Sequence, residues 1–499
     1  FWLKALVAYA WPLYDIMRLV TLLVPLVLVR GCQVHTADPR NFSDPTLPGF
    51  HFVPWPFDWM NDPNGPVYDP TTGLYHLFYQ YKTPREWGHA VSSDLVNWAQ
   101  LQEALTRQAW YDEGGDYSGS ATVLCDEQRT MMLTVSSSTE YMFLTVPRVR
   151  SDPYLREWSY VKPIFQVAAR DPTEVWRRSD PGSFECVPDA GPDVYQLVVG
   201  TLNGTVLWQT SEPVASPLNA DWIEVGVINH DDTGIFWECP DLFVLPGTTT
   251  WVSKHSLIGY GDFYQTGTFD GFSFTAQDGQ DFEKQMYDTN PSFYASKSFY
   301  DAAKHRRVLW GWLKMNPWPS DDEPDVGGWQ NTQTVPRTIT LAEDGVTLKT
   351  WPIEEIESLR KETGGFHGRN LTVAAGNELW IPLSGAMLDI EMNIQTTGDN
   401  LCGVRVLVDS EDPSSHVEVL TATSSLRVLV DASIVEAFFG DGLATTFFSS
   451  PKATSTGVSL VASGTSDAFC AFTVDVWEMC PFTFDVSLAR KSVTEGQLV

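Results

Sequence analysis

Three carboxylates stand in sequence settings where a side chain could take part in chemistry. Each is flanked by apolar or aromatic residues at a point where a strand should begin, and a carboxylate is seldom buried without a function. Glycosidases need a carboxylate nucleophile and a carboxylic acid that stays protonated, and crowded acids raise the pKa of one member. The alternative is that the acids cap turns, because Asp-Pro and Asn-Gly are turn formers. The three are Asp62 in WMNDPNG (59–65), Asp171 in RDP (170–172) and Glu238 in WECPD (237–241).

The elements that must position these acids are β-strands in a repeated unit. Short apolar runs are bounded by turn residues, and a step from a polar residue to an aromatic one recurs at positions 98, 158, 222 and 282. All-β units of roughly 60 residues fit a propeller, and residues 48–350 hold about five of them. The acids are 109 and 67 residues apart, so they belong to different blades. We therefore expect a five-bladed β-propeller whose first strands bring the acids around one pocket.

The chain after the propeller follows a different pattern. Residues 351–362 indicate a linker helix, because Pro352 suits a first turn, acids come early and Arg360 comes late. Period-2 alternation in the later segments predicts antiparallel sheets with one buried face each, and so a β-sandwich over 363–485. The expected fold is all-β, with a leader and extension over 1–46, the propeller over 47–350 and a polar tail over 486–499.

Composition and motifs exclude several classes of function. The chain carries 32 Lys+Arg against 63 Asp+Glu, a formal charge of −31. This charge excludes a nucleic-acid partner held by a general basic surface. The sequence contains no CxxC pair, zinc spacing, GxGxxG, GxxxxGK[ST], HExxH or GxSxG. Nucleotide binding, zinc hydrolysis and serine-hydrolase chemistry therefore have no support, and we expect neither a metal nor a cofactor.

The N-terminal residues predict a cleaved leader. Residues 19–29 form an uncharged apolar run of 11, which suits a signal sequence and is too short to span a bilayer. The mature protein should then begin between about residues 31 and 42 and be secreted or vacuolar, without stable membrane association. A membrane anchor over 5–29 is the alternative. Sequons that suit a secreted protein lie at Asn41, Asn203 and Asn370.

Taken in order, the motifs resemble a known family. WMNDPNG, SGSAT (118–122), RDP and WECPD look like glycoside hydrolase family 32, the β-fructofuranosidases, and the likeness runs from about residue 48 to 480. Further blocks at 294–301, 307–312, 351–360 and 429–436 are similar to plant acid invertases. The family fold, a five-bladed propeller plus a β-sandwich, agrees with the repeat.

The resemblance implies a retaining double displacement. Asp62 would be the nucleophile that attacks the fructosyl anomeric carbon, Glu238 the acid/base and Asp171 the transition-state stabiliser. The two reacting carboxyls should lie about 5 Å apart. Arg170 is expected to keep Asp171 ionised through charge and hydrogen bonding, and to lie among the sugar-binding residues.

The seven cysteines are an odd number, so at least one thiol is free or lost with a leader. Cys239 is expected to be a buried neighbour that tunes Glu238 rather than a disulfide partner. In the sandwich, Cys402 is expected to bridge either Cys470 or Cys480, as suits a secreted protein.

Other matched positions are expected to bind sugar. Asn61 and Gln80 offer amides to fructose hydroxyls, and Trp59 and Trp87 offer apolar walls. Ser120 would sit beside the pocket. Core packing is the alternative for Trp87 and for Ser120.

Sucrose hydrolysis is the main expectation, with sucrose or a fructo-oligosaccharide as the small-molecule partner. Trp59 and Asn61 are intact, which favours water as the acceptor. Asp270 in GTFD (267–270) resembles the plant acid that holds the glucose unit of sucrose, although Ser273 replaces the family's Lys. The alternative is that Asp270 caps a surface turn. A fructosyltransferase or fructan exohydrolase of the same family, and more remotely a non-catalytic sugar-binding protein, are the other interpretations.

Overall fold

The protein is almost entirely β-structure. The computed structural model describes residues 26–29, 32–35, 38–82, 85–107, 113–124, 129–136, 139–166, 168–181, 191–231, 234–277, 285–314, 329, 331–397, 399–464 and 468–490. Most of the predicted leader, Phe282 of the repeat, Cys125, Cys186 and the tail after residue 490 lie outside these residues. None of the helices in the described part has the length and hydropathy needed for a membrane span.

The first described segment is a hairpin of β1 (Leu26–Val29) and β2 (Cys32–His35). Cys32 is bonded to Cys480, and Arg40 is buried, where it donates to the carbonyls of Gly49 and Phe482. Part of the predicted leader and extension therefore contacts the folded body, through Cys32 of β2 and through Arg40. Cleavage of a leader stays a prediction.

Five sheets follow one another between Met60 and Pro352, each of a size that suits one propeller blade. The first contains β3 (Met60–Pro63), β4 (Val67–Asp69), β5 (Leu74–Tyr81), β6 (Glu86–Ser92) and β7 (Trp98–Gln100). The second contains β8 (Ser120–Val123), β9 (Thr130–Val135), β10 (Tyr141–Pro147) and β11 (Trp158–Gln166). The third contains β12 (Trp176–Arg177), β13 (Tyr195–Thr201), β14 (Gly204–Thr210) and β15 (Trp222–His230), with a 3-10 helix at Pro217–Asn219.

The fourth and fifth sheets complete a ring. The fourth contains β16 (Trp237–Val244), β17 (Trp251–Leu257), β18 (Gly261–Phe269) and β19 (Phe274–Ala276). The fifth contains β20 (Phe293–Asp301), β21 (Arg306–Leu313), β22 (Thr332–Gln333), β23 (Arg337–Leu341) and β24 (Leu348–Pro352). Because β20 and β21 lie against β3, the fifth sheet closes onto the first. The first strands of the sheets thereby surround a central channel.

The linker is shorter and tighter than predicted. Residues Trp351 and Pro352 belong to β24, and a 3-10 helix, not an α-helix, covers Glu354–Leu359. Its two buried residues, Ile356 and Leu359, are three positions apart, which is the period of a 3-10 helix. Both pack into the core of the first sheet.

The C-terminal part is a β-sandwich of two antiparallel sheets. The larger sheet has the order β25-β34-β27-β30-β31-β32 and the smaller has β26-β33-β28-β29. Cys402 and Cys470 form a disulfide between β28 and β34, which joins the two sheets and confirms one of the two pairings expected for Cys402. The strands are β25 (Phe366–Ala374), β26 (Glu378–Trp380), β27 (Met387–Thr396), β28 (Leu401–Asp409), β29 (Val417–Thr421), β30 (Ser425–Asp431), β31 (Ile434–Phe439), β32 (Ala444–Phe448), β33 (Ser455–Ser463) and β34 (Phe469–Glu478).

After the sandwich the chain returns to the propeller. Strand β35 (Phe484–Asp485) pairs in parallel with β7 and becomes the outer strand of the first sheet. A 3-10 helix follows at Ser487–Arg490. The first sheet is therefore built from two ends of the described chain.

A buried network of charges joins the propeller to the sandwich. His51 contacts Asp431 and Glu436 through its two ring nitrogens, each at 2.8 Å. Arg337 of β23 bonds Glu436 at 2.7 Å and Asp288 at 3.1 Å. Burial alone would lower the pKa of His51, but its hydrogen bonds to the two carboxylates outweigh burial and raise the pKa to about 9.

Candidate active site

The innermost strands share a kink at one end of the channel. Pairing shifts register in β3, in β16 directly after Glu238, and in β20 directly after Tyr294. Such a bulge bends a strand and re-aims its side chains. Three residues at these entrances, Asp171, Cys239 and Ala295, have φ of 60°, 45° and 52°, in the left-handed region. Strain of this kind clusters at functional sites.

The kinked strands open into a cavity of about 420 Å³. All three predicted catalytic acids line it. Among the described residues around it, these acids are the only carboxylates. Within the described part of the chain, no group of three or more His, Cys, Asp or Glu is arranged to hold a metal ion. The lining residues are Asn61, Asp62, Gln80, Arg85, Tyr117, Ser118, Arg170, Asp171, Glu238, Ile258, Tyr294, Trp312 and Lys314.

Asp62 is held by donors from three directions. Ser118 Oγ donates to Oδ2, Asn61 Nδ2 donates to Oδ1 at 3.2 Å, and Cys239 Sγ lies 3.5 Å from Oδ2. Desolvation in the cavity raises the pKa of Asp62 to about 6, and repulsion from Asp171 adds to the rise, while the three donors oppose it. These contacts fix the orientation of the carboxylate, and each of its two oxygens has its own donors.

Glu238 has a different set of partners. Arg170 Nη2 donates to Oε1 and the Tyr294 hydroxyl donates to Oε2. Desolvation and repulsion from Asp171 raise the pKa of Glu238 to about 7, although Arg170 and Tyr294 act against the rise. Glu238 can therefore hold a proton near neutral pH, which is what a general acid needs.

Asp171 is bonded by the backbone of the neighbouring blade. Its Oδ2 accepts from the backbone N–H of Cys239 at 2.9 Å, and Cys239 Sγ lies 3.5 Å away. Arg170 does not hydrogen-bond Asp171: its Nε is 4.0 Å from Oδ2, and its guanidinium bonds Glu238 instead. The expected hydrogen bond from Arg170 to Asp171 is therefore corrected, while the expected charge interaction is present as an ion pair at 4.0 Å.

Cys239 is free and buried, as expected, but its thiol contacts Asp62 and Asp171 and not Glu238. For Arg170 and Cys239 alike, the side chain hydrogen-bonds an acid of another sheet and not the acid beside it in the chain. The left-handed φ of Asp171 and of Cys239 turns the backbone there, so the side chains of neighbouring residues diverge.

Three of the expected sugar-binding residues, Asn61, Gln80 and Arg170, line the cavity. Gln80 is fixed by a bond from its side-chain nitrogen to the Asp116 carbonyl at 2.8 Å. Trp59 is not among the lining residues. Its Nε1 donates to Asn61 Oδ1 at 3.0 Å, so Trp59 acts on the cavity by orienting Asn61.

Trp87 and Ser120 do not line the cavity. Trp87 is 0% exposed in the core between the first two sheets, and its Nε1 donates to the Tyr117 carbonyl at 3.1 Å. Ser120 is buried and donates to the Thr173 carbonyl at 2.7 Å, which joins the second sheet to the third. The core-packing alternative is correct for both. Ser118, two residues earlier in the same motif, is the serine at the cavity.

Asp270 lies at the opposite end of its blade. Strand β16 runs away from the cavity, β17 returns with Leu257 beside Trp237, and β18 runs away again from Gly261 to Phe269. Asp270 follows Phe269, is exposed, and accepts the N–H groups of Phe272 and Ser273 at 2.8 Å each. It caps a surface turn, so the expectation that it binds the glucose unit is wrong.

Several cavity residues were not predicted from the sequence, and Tyr294 is the most informative. It precedes the register shift of β20 as Glu238 precedes that of β16, so the two occupy equivalent positions in adjacent blades. Alignment of WECPDL (237–242) with FYASKS (293–298) could have identified it. The others that sequence analysis missed are Arg85, Tyr117, Ser118, Ile258, Trp312 and Lys314.

Known proteins share both parts of the molecule. A fructan 1-exohydrolase from Aegilops speltoides is 36% identical over 372 residues, which are 67% of this chain and 59% of that protein. The insoluble isoenzyme 4 of β-fructofuranosidase from Oryza sativa subsp. japonica is 34% identical over 427 residues, 77% of this chain and 66% of that protein. The chain spans less than two thirds of the length of these curated relatives.

The fold has solved counterparts. The crystal structure of fructan 1-exohydrolase IIa from Cichorium intybus has a TM-score of 0.74 and 27% identity, and the match covers 89% of this chain and 99% of that chain. Residues 51–352 match the N-terminal domain of glycosyl hydrolases family 32, and residues 406–478 match its C-terminal domain. Since the first match alone covers more than half of the sequence and contains the whole cavity, the chain belongs to glycosyl hydrolase family 32.

Proposed function

We propose that the protein is a retaining β-fructofuranosidase that releases fructose from sucrose and short fructans. The observation that carries the proposal is that Asp62, Asp171 and Glu238, from three different sheets, meet in one cavity with different partners. A retaining glycosidase needs two carboxyl groups that differ in their protonation, and different surroundings are what separate them.

In the first step, Asp62 is the nucleophile. One carboxylate oxygen attacks the anomeric carbon of the fructosyl unit while Glu238 gives its proton to the glycosidic oxygen, and the bond between that carbon and oxygen breaks. The product is a fructosyl ester of Asp62 and a free alcohol. The donors from Ser118 and Asn61 orient the attacking group, and Arg170 and Tyr294 orient the acid.

In the second step, Glu238 is a base. Its carboxylate takes a proton from water, the water oxygen attacks the anomeric carbon, and the ester bond to Asp62 breaks. Fructose leaves with retained configuration, Asp62 is again a carboxylate and Glu238 is again protonated. In this proposal Asp171 accepts hydrogen bonds from fructosyl hydroxyls as positive charge develops on the ring.

A fructan exohydrolase is the second candidate, and two observations favour it. The acid expected to bind glucose, Asp270, lies away from the cavity. Ile258, at the cavity, is 57% exposed and presents an apolar group that accepts no hydrogen bond from a glucose hydroxyl. A similar solved structure, at 27% identity, is that of fructan 1-exohydrolase IIa from Cichorium intybus in complex with 1-kestose.

The deciding experiment is a comparison of sucrose, 1-kestose, inulin and levan at equal molar concentration, with products separated by chromatography. Release of fructose from sucrose at rates comparable with 1-kestose supports the main proposal, and release from fructans alone supports the second candidate. Accumulation of longer oligosaccharides at high sucrose indicates fructosyl transfer. Initial release of the inverted anomer, observed by NMR, would contradict the double displacement.

Asp270→Ala adds a control on the corrected residue. Because Asp270 caps a turn at the far end of the blade, the ratio of kcat/KM for sucrose to kcat/KM for 1-kestose should stay unchanged. A selective loss on sucrose would restore its role in binding glucose.

A further inference from the structure

A buried lysine bonds the backbone beside two of the three carboxylates. Lys297, in β20, is 3% exposed. Its Nζ donates to the backbone carbonyls of Pro240 at 2.9 Å, Pro172 at 3.2 Å and Asp171 at 3.4 Å. One side chain of the fifth sheet therefore bonds the segments that carry Asp171 in the third sheet and Glu238 in the fourth.

The bonded segments are strained. Asp171 has φ of 60° and Cys239, which separates Glu238 from Pro240, has φ of 45°. A non-glycine residue in this region costs free energy and persists only where its surroundings over-determine it. Proline has no N–H, so at Pro172 and Pro240 the backbone can be held only through the carbonyl oxygen, which is where Lys297 bonds.

A second lysine nearby has a different pattern. Lys254 of β17 donates to the carbonyls of Cys239 and Ser296, and it also pairs with Asp262 at 3.0 Å. The hydrogen bonds of Lys297 described above go to carbonyls, so its charge reaches carboxylates through space. Burial lowers the pKa of Lys297, and the charged or titratable groups that face it are Cys239, Asp241, Asp171, Lys254 and Glu174.

We propose that Lys297 is a positioning residue for the reaction: its ammonium joins segments 170–172 and 238–240 and keeps Asp171 and Glu238 in fixed relative positions. This inference rests on the roles of the acids given above. Lys297 itself is not among the residues that line the cavity.

The test is a pair of substitutions at Lys297. Lys297→Met keeps the length of the side chain and removes the charge, so kcat should fall about 10- to 100-fold, as expected for misplacement of reacting groups by about 1 Å. KM should change less than kcat, because Lys297 does not line the cavity. Lys297→Arg keeps the charge and changes the geometry, so kcat should fall in this variant as well.

Lys452→Met is the matched control, because Lys452 pairs with Asp409 on the sandwich surface and its loss removes the same charge far from the cavity. Its kcat and KM should be unchanged.

Each variant is checked for folding by circular dichroism and thermal unfolding. Unchanged kcat in folded Lys297→Met would overturn the proposal, as would a loss of activity that merely equals the unfolded fraction. If the Met variant does not fold, unchanged kcat in the Arg variant overturns it. Failure of the catalytic assignment is distinguishable, because Asp62→Asn and Glu238→Gln would then retain activity.

Discussion

The cavity and the junction between propeller and sandwich are both buried clusters of charge, but they are balanced differently. At the cavity, Asp62, Asp171 and Glu238 face one another, and Arg170 is the cation bonded to an acid. At the junction, His51 and Arg337 lie among Asp288, Asp431 and Glu436 with matched hydrogen bonds.

Two glutamates make the difference plain. Burial acts to raise the pKa of both Glu238 and Glu436. At Glu436 the charge of Arg337 and the bond from His51 reverse the effect, and the pKa is lowered. At Glu238 repulsion from Asp171 adds to burial, and the pKa rises to about 7. The neighbouring charges, more than burial, decide whether an acid joins two domains or exchanges a proton.

The largest effect is expected at the cavity, from Asp62→Asn. Loss of the nucleophile should reduce kcat by about 10⁴-fold or more. Because the folded pKa of Asp62, about 6, is above its ordinary value, the ionised acid costs stability at neutral pH, and its removal should raise Tm by a few degrees. Fructose release and thermal unfolding at pH 7 test both parts. A variant that stays active would contradict the role of Asp62 as the nucleophile. A Tm well below that of the unsubstituted protein would contradict the stability cost of the ionised acid.

An intermediate effect is expected at the junction, from Glu436→Gln. This change leaves Arg337 and His51 without one buried carboxylate, so the free energy of unfolding should fall by about 3–5 kcal/mol. Activity per folded molecule should be retained. Glu418→Gln, at an exposed pair with Arg405, is the control and should cost less than about 1 kcal/mol in the same urea titration. Equal losses of unfolding free energy in the two variants would show that burial of the charges at the junction adds nothing to stability.

The mildest test uses pH alone. Activity needs ionised Asp62 and protonated Glu238, so kcat/KM should be bell-shaped, with limbs near pH 6 and pH 7. The folded pKa of His51 is raised to about 9, so its contribution to stability is complete below about 6.5 and is lost as pH rises through 9. At pH 8 the protein should be folded and nearly inactive, and return to pH 6.5 should restore activity. Loss of circular dichroism in parallel with activity would refute this separation.

The sequence was sufficient for the fold class and for the three acids. Alternation and turn residues predict strands, and a carboxylate next to Pro, Trp or Cys at a strand entrance predicts burial with a function. These signals are local. The propeller and sandwich could be predicted because they depend on periodicity that repeats along the chain, and the family resemblance supported the same fold.

Whether a side chain reaches the cavity depends on how far along its blade the residue lies and on which way the side chain points. Local sequence patterns do not contain this information. Ser118 and Ser120 are two residues apart, but Ser118 donates to Asp62 at the cavity whereas Ser120 donates to the Thr173 carbonyl in the core. Asp270 was placed wrongly because three antiparallel strands separate it from Glu238, and an odd number of strands ends at the opposite edge of the blade. Tyr294 was missed because its equivalence to Glu238 rests on the position of a register shift.

The parallel pairing of β35 with β7 has a consequence for biosynthesis. Thr483 donates to Asn97 across 386 residues of sequence, so the strand that completes the first sheet emerges from the ribosome long after the rest of that sheet. At about 5–20 residues per second, the interval is roughly 20–80 s. Throughout it the outer edge of β7 is open to pairing with strands of other nascent chains. The blade translated first is thus the one that waits longest for its last strand, and it is where a chaperone would have most to protect.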